Sequence, residues 1–496
     1  MISPGAPAGT TPLGEWLEIL ERRHPVAIDL GLERVGDVWR RLGSPGPASR
    51  VVTVGGTNGK GSVVAFMEAA ARASGWRVGA YTSPHIDRYN ERIRIDGADA
   101  ADADIVVAFE RIESARAGVS LTYFEFGTLA ALLLMAQARP ALDLAVLEVG
   151  LGGRLDAVNL IDADVAVVTT VALDHQDWLG DTRAKIAVEK AGIARSGRPL
   201  VVGERSPEPA LLSTAAAIGA RLVGIGREFD WQLEGNVRRF EMAGHRALHL
   251  PTRLQLAAPC QWDNAATALA AILMLAGPQR SGDSRQVVGA IGDQADNAPA
   301  VPGTGAAVVR PLLDQSGMRD YRRLPSLDPA RAAAGLADAR LSGRLERVAL
   351  APEVVVDVGH NPQAAEELAR WLEGDGAGII THAVFSALND KDIEGIVAPL
   401  LPLIARWHVA GLEGVTPRGS SAHALGERLI DLIASRLSDE RNVERDGAPM
   451  PSLTVHATVA DALAAARSQS RADERVLAFG SFHVVSEVRK ALRGGL

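Results

Sequence analysis

The sequence predicts an α/β protein in which a larger N-terminal domain, built on a mostly parallel, doubly wound sheet, precedes a smaller C-terminal α/β domain. Its length of 496 residues exceeds what a single hydrophobic core usually serves, so two domains are expected. Short β-branched runs alternate with helical patterns along the chain, which is typical of parallel sheets. We place the boundary near residue 340, with 1–340 in the first domain and 341–496 in the second.

The composition indicates a globular protein and argues against several other classes. Hydrophobic residues make up 47% and charged residues 23% of the chain, both ordinary values. The net charge of −8 disfavours non-specific nucleic-acid binding. Cys260 is the only cysteine, and we expect it to be buried and inert in a protein of the reducing cytoplasm. The N-terminal residues lack signal-peptide features and no stretch looks membrane-spanning, so neither export nor a membrane role is expected.

The first elements of the N-terminal domain follow from periodicity. Residues 13–42 predict one or two amphipathic helices, since apolar residues recur there with helical spacing. The pattern predicts further helices near 102–116 and 122–135, and strands at 51–54, 78–81, 144–147 and 165–171.

The stretch VVTVGGTNGKGS at 51–62 combines a strand, a glycine-rich turn and the start of a helix. A helix N-terminus carries unpaired N–H groups and a partial positive charge, and both favour a phosphate. Lys60 is placed to reach the outer phosphates of a nucleotide, while the glycines let the backbone approach closely. The spacing departs from the common P-loop because Gly61 separates Lys60 from Ser62. The stretch therefore predicts a nucleotide phosphate site of a P-loop subtype, without indicating the reaction.

Lysine is scarce in this chain. Only five of the 52 basic residues are lysines, at positions 60, 185, 190, 391 and 490. Where most basic residues are arginine, a lysine is expected at positions that need a compact ammonium or an amine able to lose its proton. We expect Lys185 and Lys490 to be chance exceptions.

Polar residues lie just beyond three further predicted strands of the N-terminal domain. They are Ser83, Glu148 and His175. Ligands of doubly wound sheets bind at the carboxyl ends of the strands. We therefore expect these three side chains to converge with the phosphate loop on one site.

The second half of the chain contains a predicted insertion and a second βα series. Residues 276–326 are rich in small and polar residues with little periodicity and predict a long inserted loop. Residues 437–451 form another polar excursion. No G-x-G-x-x-G motif occurs in this half, so dinucleotide binding is not expected. The pattern predicts a helix at 328–339 and strands near 354–358, 380–385, 407–410 and 475–479.

Several motifs together resemble the folylpolyglutamate synthase and dihydrofolate synthase family, a branch of the Mur-type amide ligases. The resemblance rests on GGTNGKGS, TSPHIDRYNERI, LEVGLGGRLDAVN, ALDHQDWLG, QWDNAATAL, GRLE, VDVGHNP and DKDI, which occur in the family's order. It covers roughly 13–275 and 328–490 and leaves the 276–326 insertion outside. The start of the chain, WLEILERRHPVAIDLGLERV, is similar to the bacterial bifunctional type. The resemblance implies a P-loop-type ATPase domain followed by a Rossmann-like glutamate-ligation domain.

The resemblance also implies an activity, ATP-driven amide formation. The γ-phosphate of ATP passes to a carboxylate of dihydropteroate or tetrahydrofolate, and L-glutamate then displaces phosphate from the acyl phosphate. Such chemistry needs Mg²⁺, a lysine and donor loops rather than a protein nucleophile. The alternatives are a monofunctional member, another Mur ligase that builds peptidoglycan precursors, and a non-catalytic nucleotide-binding regulator. We expect a monomer that acts on small molecules.

Site residues are carried over from the family by motif. The residues implied for ATP are Gly56, Thr57, Asn58, Gly59, Lys60, Gly61, Ser62, Asn264, Arg344 and Asp357. Those implied for the metal are Ser83, Glu148 and His175. The catalytic set implied is Lys60, Glu148, His175, Lys190, Asp357 and His360, with Lys190 matching a lysine that many members carry as a carbamate.

The pterin side is implied less directly. The resemblance places Thr122, Phe124, Arg154 and Asp156 there, and Phe124 is suited either to stacking on a pterin or to the core. Arg88, Arg92 and Arg94 are candidates for the substrate's carboxylates, with a solvated loop as the alternative for each. We expect three other residues to be structural, namely His85, Trp178 and His408.

Overall fold

The structure is a computed structural model that describes residues 11–24, 28–276, 323–374, 377–438 and 452–494. Most of the predicted insertion, residues 277–322, lies outside these ranges, as do residues 439–451 of the polar excursion. The helices before the insertion are α1 (Leu13–Arg23), α2 (Glu33–Arg41), α3 (Lys60–Ala73), α4 (Asp102–Arg116), α5 (Tyr123–Gln137), α6 (Gln176–Leu179), α7 (Arg183–Ala191), α8 (Pro209–Ile218) and α9 (Gln261–Ala276). The strands there are β1 (Arg50–Gly55), β2 (Val78–Tyr81), β3 (Ile93–Ile95), β4 (Ala98–Asp99), β5 (Leu144–Glu148), β6 (Val165–Val168), β7 (Pro199–Val202), β8 (Arg221–Gly224), β9 (Phe229–Glu234), β10 (Val237–Met242) and β11 (Leu248–His249).

The C-terminal part has its own helices and strands. Helix α10 (Pro329–Gly335) packs against α3 and belongs to the N-terminal part. The helices of the C-terminal part are α11 (Pro362–Glu373), α12 (Ile393–Val397), α13 (Ala422–Ser438), α14 (Val459–Gln469) and α15 (Phe482–Gly494). Its strands are β12 (Glu346–Leu350), β13 (Glu353–Val356), β14 (Thr381–Phe385), β15 (Arg406–Ala410), β16 (Ser452–His456) and β17 (Arg475–Phe479).

An eight-stranded sheet forms the centre of the N-terminal part, in the order β4-β3-β2-β5-β1-β6-β7-β8. The strands from β2 to β8 in this order run parallel, whereas β3 and β4 add an antiparallel edge. Apolar residues on β1 alternate between two cores, with Val51 on one face and Val52 and Val54 on the other. Both faces are covered by helices, which explains why the central strands read as continuous apolar runs rather than alternating ones.

Two further sheets complete the described fold. Strands β9, β10 and β11 form a small antiparallel sheet, packed beside α9. The C-terminal sheet has the order β12-β13-β17-β14-β15-β16, in which all neighbours are parallel except β12 and β13. This mixed α/β architecture confirms the predicted fold class.

Two predicted elements differ from the observed ones. The strand predicted at 165–171 ends at Val168 because the next residues turn toward the phosphate loop. There Thr169 Oγ1 donates to the carbonyl of Asn58 (2.5 Å), and Thr170 Oγ1 accepts from the Asn58 N–H (3.1 Å). The helix predicted at 328–339 ends at Gly335 and continues as a short 3₁₀ turn.

Candidate active site

The phosphate loop follows β1 and needs glycine at two of its positions. Gly56 has φ 143°, and a Cβ there would lie 1.8 Å from Thr169 Oγ1. Gly59, at the N-cap of α3, has φ 86°, and its Cβ would lie 2.7 Å from Asn264 Oδ1. A side chain at either position would be strained and would clash. The backbone therefore comes closer to its neighbours than any other residue type permits.

Lys60 is the first residue of α3 and curls back over the loop. Its Nζ donates to the carbonyl oxygens of Gly56 (3.0 Å) and Thr57 (3.1 Å). Burial lowers the pKa of this ammonium, while the charges of Glu148 and Asp174 act in the opposite direction. The ammonium therefore lies at a helix N-terminus, and both the ammonium and the helix dipole favour a bound anion.

Glu148 ends β5 and is buried beside Lys60. Its Oε2 accepts the N–H of Ser83 (3.1 Å). Burial raises the pKa of the Glu148 carboxyl, and the charge of Lys60 opposes that shift. The hydroxyl of Ser62, on the first turn of α3, is also buried and has no hydrogen-bond partner among the described residues.

These oxygens fit a divalent cation. Mg²⁺ takes oxygen ligands and usually keeps several waters and substrate phosphates, with only one or two carboxylates from the protein. Glu148 provides one carboxylate, and Ser62 provides a buried hydroxyl that lacks any other partner. The described residues contain no group of three His, Cys, Asp or Glu side chains able to hold a metal on their own. The residues present therefore suit a phosphate-bound Mg²⁺ rather than an all-protein metal cage.

His175 lies beyond β6 in a left-handed conformation, with φ 52°, at the start of α6. Burial lowers the pKa of its imidazole to about 4, although the charge of Asp174 acts to raise it. A neutral imidazole is the form that binds metals. A non-glycine residue with this backbone conformation is uncommon and often marks a functional site.

Asp174 connects the two parts of the chain. Its carboxylate accepts from Lys391 Nζ (2.8 Å) and Asn361 Nδ2 (3.4 Å), and lies 3.6 Å from His360 Nε2. Although burial acts to raise its pKa, the hydrogen bond from His360 and the charges of His175, His360 and Lys391 hold it well below the usual range. Neither Asp174 nor Lys391 was predicted as a site residue.

A second contact between the two parts involves amides. Asn58 and Asn361 exchange a pair of hydrogen bonds, each 3.0 Å long, and Asn58 Nδ2 also donates to Gln363 Oε1 (2.7 Å). The phosphate loop therefore bonds directly to the start of α11. Its one asparagine was predicted only for ATP, and its partners were missed because they lie far along the chain.

The five lysines fall into a group that lines a cavity and a group that is exposed. Lys60, Lys190 and Lys391 line one cavity, whereas Lys185 and Lys490 keep more than half of their side-chain surface exposed, 63% and 64%. Lys190 is buried on α7, and desolvation, followed by the charge of Lys60, lowers its pKa to about 7. A buried lysine that loses its proton this readily is a nucleophilic amine near neutral pH.

This cavity has a volume of about 520 Å³ and lies between the two parts of the chain. The predicted site residues that line it are Gly56, Thr57, Asn58, Gly59, Lys60, Gly61, Ser83, Glu148, His175, Lys190, Arg344 and His360. A smaller cavity of about 90 Å³ adjoins it and is lined by Ser62, Asn264, Asp357 and Cys260, among others. The fold thus brings together most of the residues predicted to bind ATP and the metal ion.

In the smaller cavity, Asp357 is held by the backbone. Its two oxygens accept from the N–H groups of Leu345 (2.9 Å) and Gly359 (2.7 Å). Burial raises the pKa of its carboxyl, and the charge of Arg344 opposes this. Cys260 is half-buried rather than fully buried as expected, because it faces this cavity. Desolvation raises the pKa of its thiol well above the usual range, which agrees with the predicted inertness.

Residues predicted for the pterin line neither cavity. Thr122 Oγ1 accepts the Glu125 N–H (3.2 Å) and so caps α5. Asp156 accepts backbone N–H groups from Leu151 and Val158, and Arg154 donates to Glu189 (2.8 Å). Phe124 packs 6.0 Å from Tyr81, ring centre to ring centre. Their contacts are structural, and their role toward a pterin stays a prediction.

Other residues, which were not predicted for the pterin, line the active-site cavity. The guanidinium carbon of Arg92 lies 5.4 and 5.5 Å from the ring centres of Tyr89 and Tyr123, and Arg92 Nε donates to His85 Nδ1 (2.9 Å). Arg92, His85 and Tyr123 all line the cavity, so His85, expected to be structural, belongs to its wall. The aromatic neighbours of an arginine were not apparent from sequence spacing.

Three other expectations concern residues at the margin of the site. Arg88 is exposed and pairs with Asp102 (3.1 Å), whereas Arg94 pairs with Glu68 (2.9 Å). Trp178 is 48% exposed, so it does not contribute to the core as a structural residue would.

Comparisons with known proteins identify the class and then the family. Residues 343–482 match the family model described as "Mur ligase, glutamate ligase domain". Together with the phosphate loop facing this second domain, the match defines an ATP-dependent ligase of the Mur class. The chain is 39% identical to the dihydrofolate synthase/folylpolyglutamate synthase of Escherichia coli (strain K12), over 99% of this chain and 98% of that protein. It therefore belongs to the dihydrofolate synthase/folylpolyglutamate synthase family.

Solved structures agree with this assignment. The chain is similar to E. coli FolC in complex with DHPP and ADP, with a TM-score of 0.79 and 38% identity over 99% of this chain and 100% of that one. It is also similar to a bifunctional folylpolyglutamate synthase/dihydrofolate synthase with Mn, AMPPNP and L-glutamate bound, with a TM-score of 0.76 and 36% identity over 99% and 100%. These relatives bind nucleotides, and the second also binds a divalent metal, as predicted for this chain.

Proposed function

We propose that this protein ligates L-glutamate to dihydropteroate and to tetrahydrofolate with ATP, through an acyl-phosphate intermediate. The observation that carries the proposal is the position of Lys60 and Glu148, which face the second domain across one cavity. A phosphoryl group and an amine must meet between the two domains for this chemistry. No second function is favoured by any feature of the site.

The phosphate loop and Lys60 hold the transferred phosphoryl group. The N–H groups at the start of α3 bind phosphate oxygens, and the Lys60 ammonium neutralises charge on the outer phosphate. A bound Mg²⁺ supplies Lewis-acid stabilisation of the phosphoryl oxygens. Glu148, Ser62 and Ser83 would hold that ion, and the resemblance to the family implies that His175 would hold a second one. The substrate carboxylate attacks the phosphorus directly, so the protein provides no nucleophile.

The second domain closes the site. Lys391, Asn361 and His360 contact Asp174 from across the cavity, and these contacts exclude water from the acyl phosphate. Asp357 and Arg344 hold the nucleotide against Asn264 in the adjoining cavity. His360 lines the same cavity, and the resemblance to the family implies that it lies near the incoming glutamate.

Lys190 is proposed to carry a carbamate. Its uncharged Nζ attacks carbon dioxide and loses a proton, so that a buried amine becomes a carboxylate-like anion beside the metal site. Arginine cannot undergo this reaction, which accounts for a retained lysine. We expect intact-protein mass spectrometry in bicarbonate to show an added mass of one carbon dioxide, absent from Lys190→Arg. An unmodified amine at saturating bicarbonate would contradict the proposal.

The proposed activity is tested by ADP release with ATP, Mg²⁺ and L-glutamate. Dihydropteroate and tetrahydrofolate are offered separately, and release is expected with both. Release with only one identifies a monofunctional enzyme. Binding of nucleotide without turnover supports a regulator, and turnover of a peptidoglycan precursor alone supports another Mur ligase.

The remaining parts of the proposal concern partners. We propose a monomer that acts in the cytoplasm on small molecules without nucleic acid, and light scattering measures its mass. None of the helices that the structure describes is long and apolar enough to cross a membrane.

A further inference from the structure

A second large cavity lies beside residues 340–347, the segment that joins the two domains. Its volume is about 700 Å³. We call it the linker cleft and define it by Arg238, Arg253, Trp262, Arg340, Arg347 and Trp371. It is lined from the N-terminal domain, from the joining segment and from the C-terminal domain.

The linker cleft is strongly basic in an otherwise acidic protein. Five arginines and a single glutamate line it, although the whole chain has a net charge of −8. Arg347 pairs with Glu353 (2.6 Å), and the glutamate, Glu346, pairs with Arg489 (3.0 Å). Within the described ranges, Arg253 and Arg340 form no ion pair. Their uncompensated charge points to an anionic ligand.

The guanidinium of Arg238 is held in place in this cleft. Its guanidinium lies 3.8 Å from the ring centre of Trp262, and one terminal nitrogen donates to the Thr252 carbonyl (3.3 Å). Its Nε is buried and has no hydrogen-bond partner among the residues described. A buried donor without a partner is unfavourable, so an acceptor is expected at this place.

The cleft communicates with the active site. Arg340 and Arg344 also line an intermediate cavity of about 200 Å³, which shares Ser83 and Glu148 with the active-site cavity. Acids also line this passage. The carboxylate of Glu91 accepts three backbone N–H groups and so faces its own loop, whereas Asp99 is exposed at the rim of the passage. An extended anionic ligand that begins at the active site therefore has a path into the cleft.

We propose that the linker cleft binds the tail of a folate that already carries several γ-linked glutamates. The proposal rests on the proposed function, because only folate polyglutamate ligation supplies such a substrate. Each added glutamate contributes one free α-carboxylate, so the tail is a flexible chain of carboxylates. Arginine forks match carboxylates in geometry and charge. The cleft thereby favours the binding of folates with longer glutamate tails over that of the short substrates of the first ligation steps.

The test compares substrates of different tail length. In Arg253→Gln/Arg340→Gln, we expect KM for tetrahydrofolate pentaglutamate to rise about fivefold, since exposed arginine–carboxylate pairs are individually weak. KM for dihydropteroate and for tetrahydrofolate monoglutamate, and kcat for all three, are expected to stay at the wild-type values. The difference should shrink in high salt because exposed charges are screened.

Control variants separate a tail site from a general effect. Arg227→Gln removes another exposed arginine, outside the cleft, and should leave all KM values unchanged. Arg238→Gln is measured together with its thermal unfolding because Arg238 packs on Trp262. Equal KM changes for short and long tails, or no change for either, would overturn the tail site. Absence of turnover with every folate in the wild type would instead contradict the proposed function.

Discussion

The two domains place their buried ionisable residues differently on similar parallel sheets. In the N-terminal domain, Lys60 and Glu148 lie where strands end and helices begin, and both face the active-site cavity. In the C-terminal domain, His382 on β14 and His408 on β15 are buried inside neighbouring strands, and His456 is the half-buried last residue of the next strand, β16. Lys60 and Glu148 line the active-site cavity, whereas His382 and His408 are enclosed by the sheet.

The histidines form a ladder across the C-terminal sheet. The rings of His382 and His408 stack 6.1 Å apart, and His408 Nδ1 lies 3.1 Å from His456 Nε2. Burial lowers the pKa of all three imidazoles, to about 4 for His408. The comparison teaches that burial alone does not indicate a site. Here Lys60 and Glu148, at strand ends, line the active-site cavity, whereas His382 and His408, within strands, do not.

The largest effect is expected where a strand-end carboxylate is neutralised. Glu148→Gln should lower turnover about a thousandfold, because charge neutralisation at the metal is lost. Its thermal unfolding should change little, since burial already raises the pKa of this carboxyl. Steady-state kinetics and calorimetry measure both. Asp181→Asn, at an exposed acid, is the control, and near wild-type turnover in Glu148→Gln would exclude Glu148 as a metal ligand.

The next comparison is between a buried and an exposed lysine of the same helix. Lys190→Arg should lower kcat about a hundredfold, as losses around metal ligands typically do, because arginine stays charged and forms no carbamate. Lys185→Arg, on the same helix α7 but exposed, should keep full activity. Similar activity in both variants would show that Lys190 is no more necessary to the reaction than the exposed Lys185.

A smaller effect is expected at the contact between domains. Lys391→Met removes the ammonium that donates a hydrogen bond to Asp174. It should lower kcat/KM for L-glutamate about tenfold, because the two domains close over the site less firmly. X-ray scattering with an ATP analogue should show a larger radius of gyration than for the wild type. Lys490→Met, at an exposed lysine, is the matched control. An unchanged radius and kcat/KM would mean that the contact does not hold the domains together.

The smallest effect is expected in the histidine ladder and concerns stability. His408 takes up a proton near pH 6.5 when unfolded but only near pH 4 when folded, so the unfolded state binds more protons between these values. Stability is therefore full above about pH 6.5 and falls toward pH 4, by about 2 kcal/mol for this residue. The neighbouring charges are Arg406, which lowers its pKa, and Glu474 and Asp461 beside the other two imidazoles.

Denaturant unfolding at several pH values measures this. In His408→Asn, the loss of unfolding free energy between pH 6.5 and pH 4 should be smaller than in the wild type, while turnover at neutral pH is kept. His423→Asn, with its side chain 85% exposed, should follow the wild-type curve. A parallel curve for His408→Asn would show that the ladder does not govern acid stability.

Much of the site was predictable because its signals are local. The phosphate loop, the helix after it and Glu148 at the end of β5 follow from β-branched runs, glycines and a polar stop within a few residues of each other. The strand at 165–171 was predicted too long because Thr169 has high strand propensity, yet its hydroxyl bonds to Asn58 instead. Local preference was overridden there by a tertiary hydrogen bond.

The fold class and the phosphate loop could be predicted from the sequence alone, as could the burial of Lys60 and Lys190, because periodicity, glycine conformation and residue choice act over short distances. Which residues join the two domains could be seen only in the folded structure. Asn58 meets Asn361 across 303 positions, and Asp174 meets Lys391 across 217. The basic linker cleft likewise gathers arginines from separate segments. Contacts between residues so far apart depend on how the two sheets pack, which no local pattern of residues encodes.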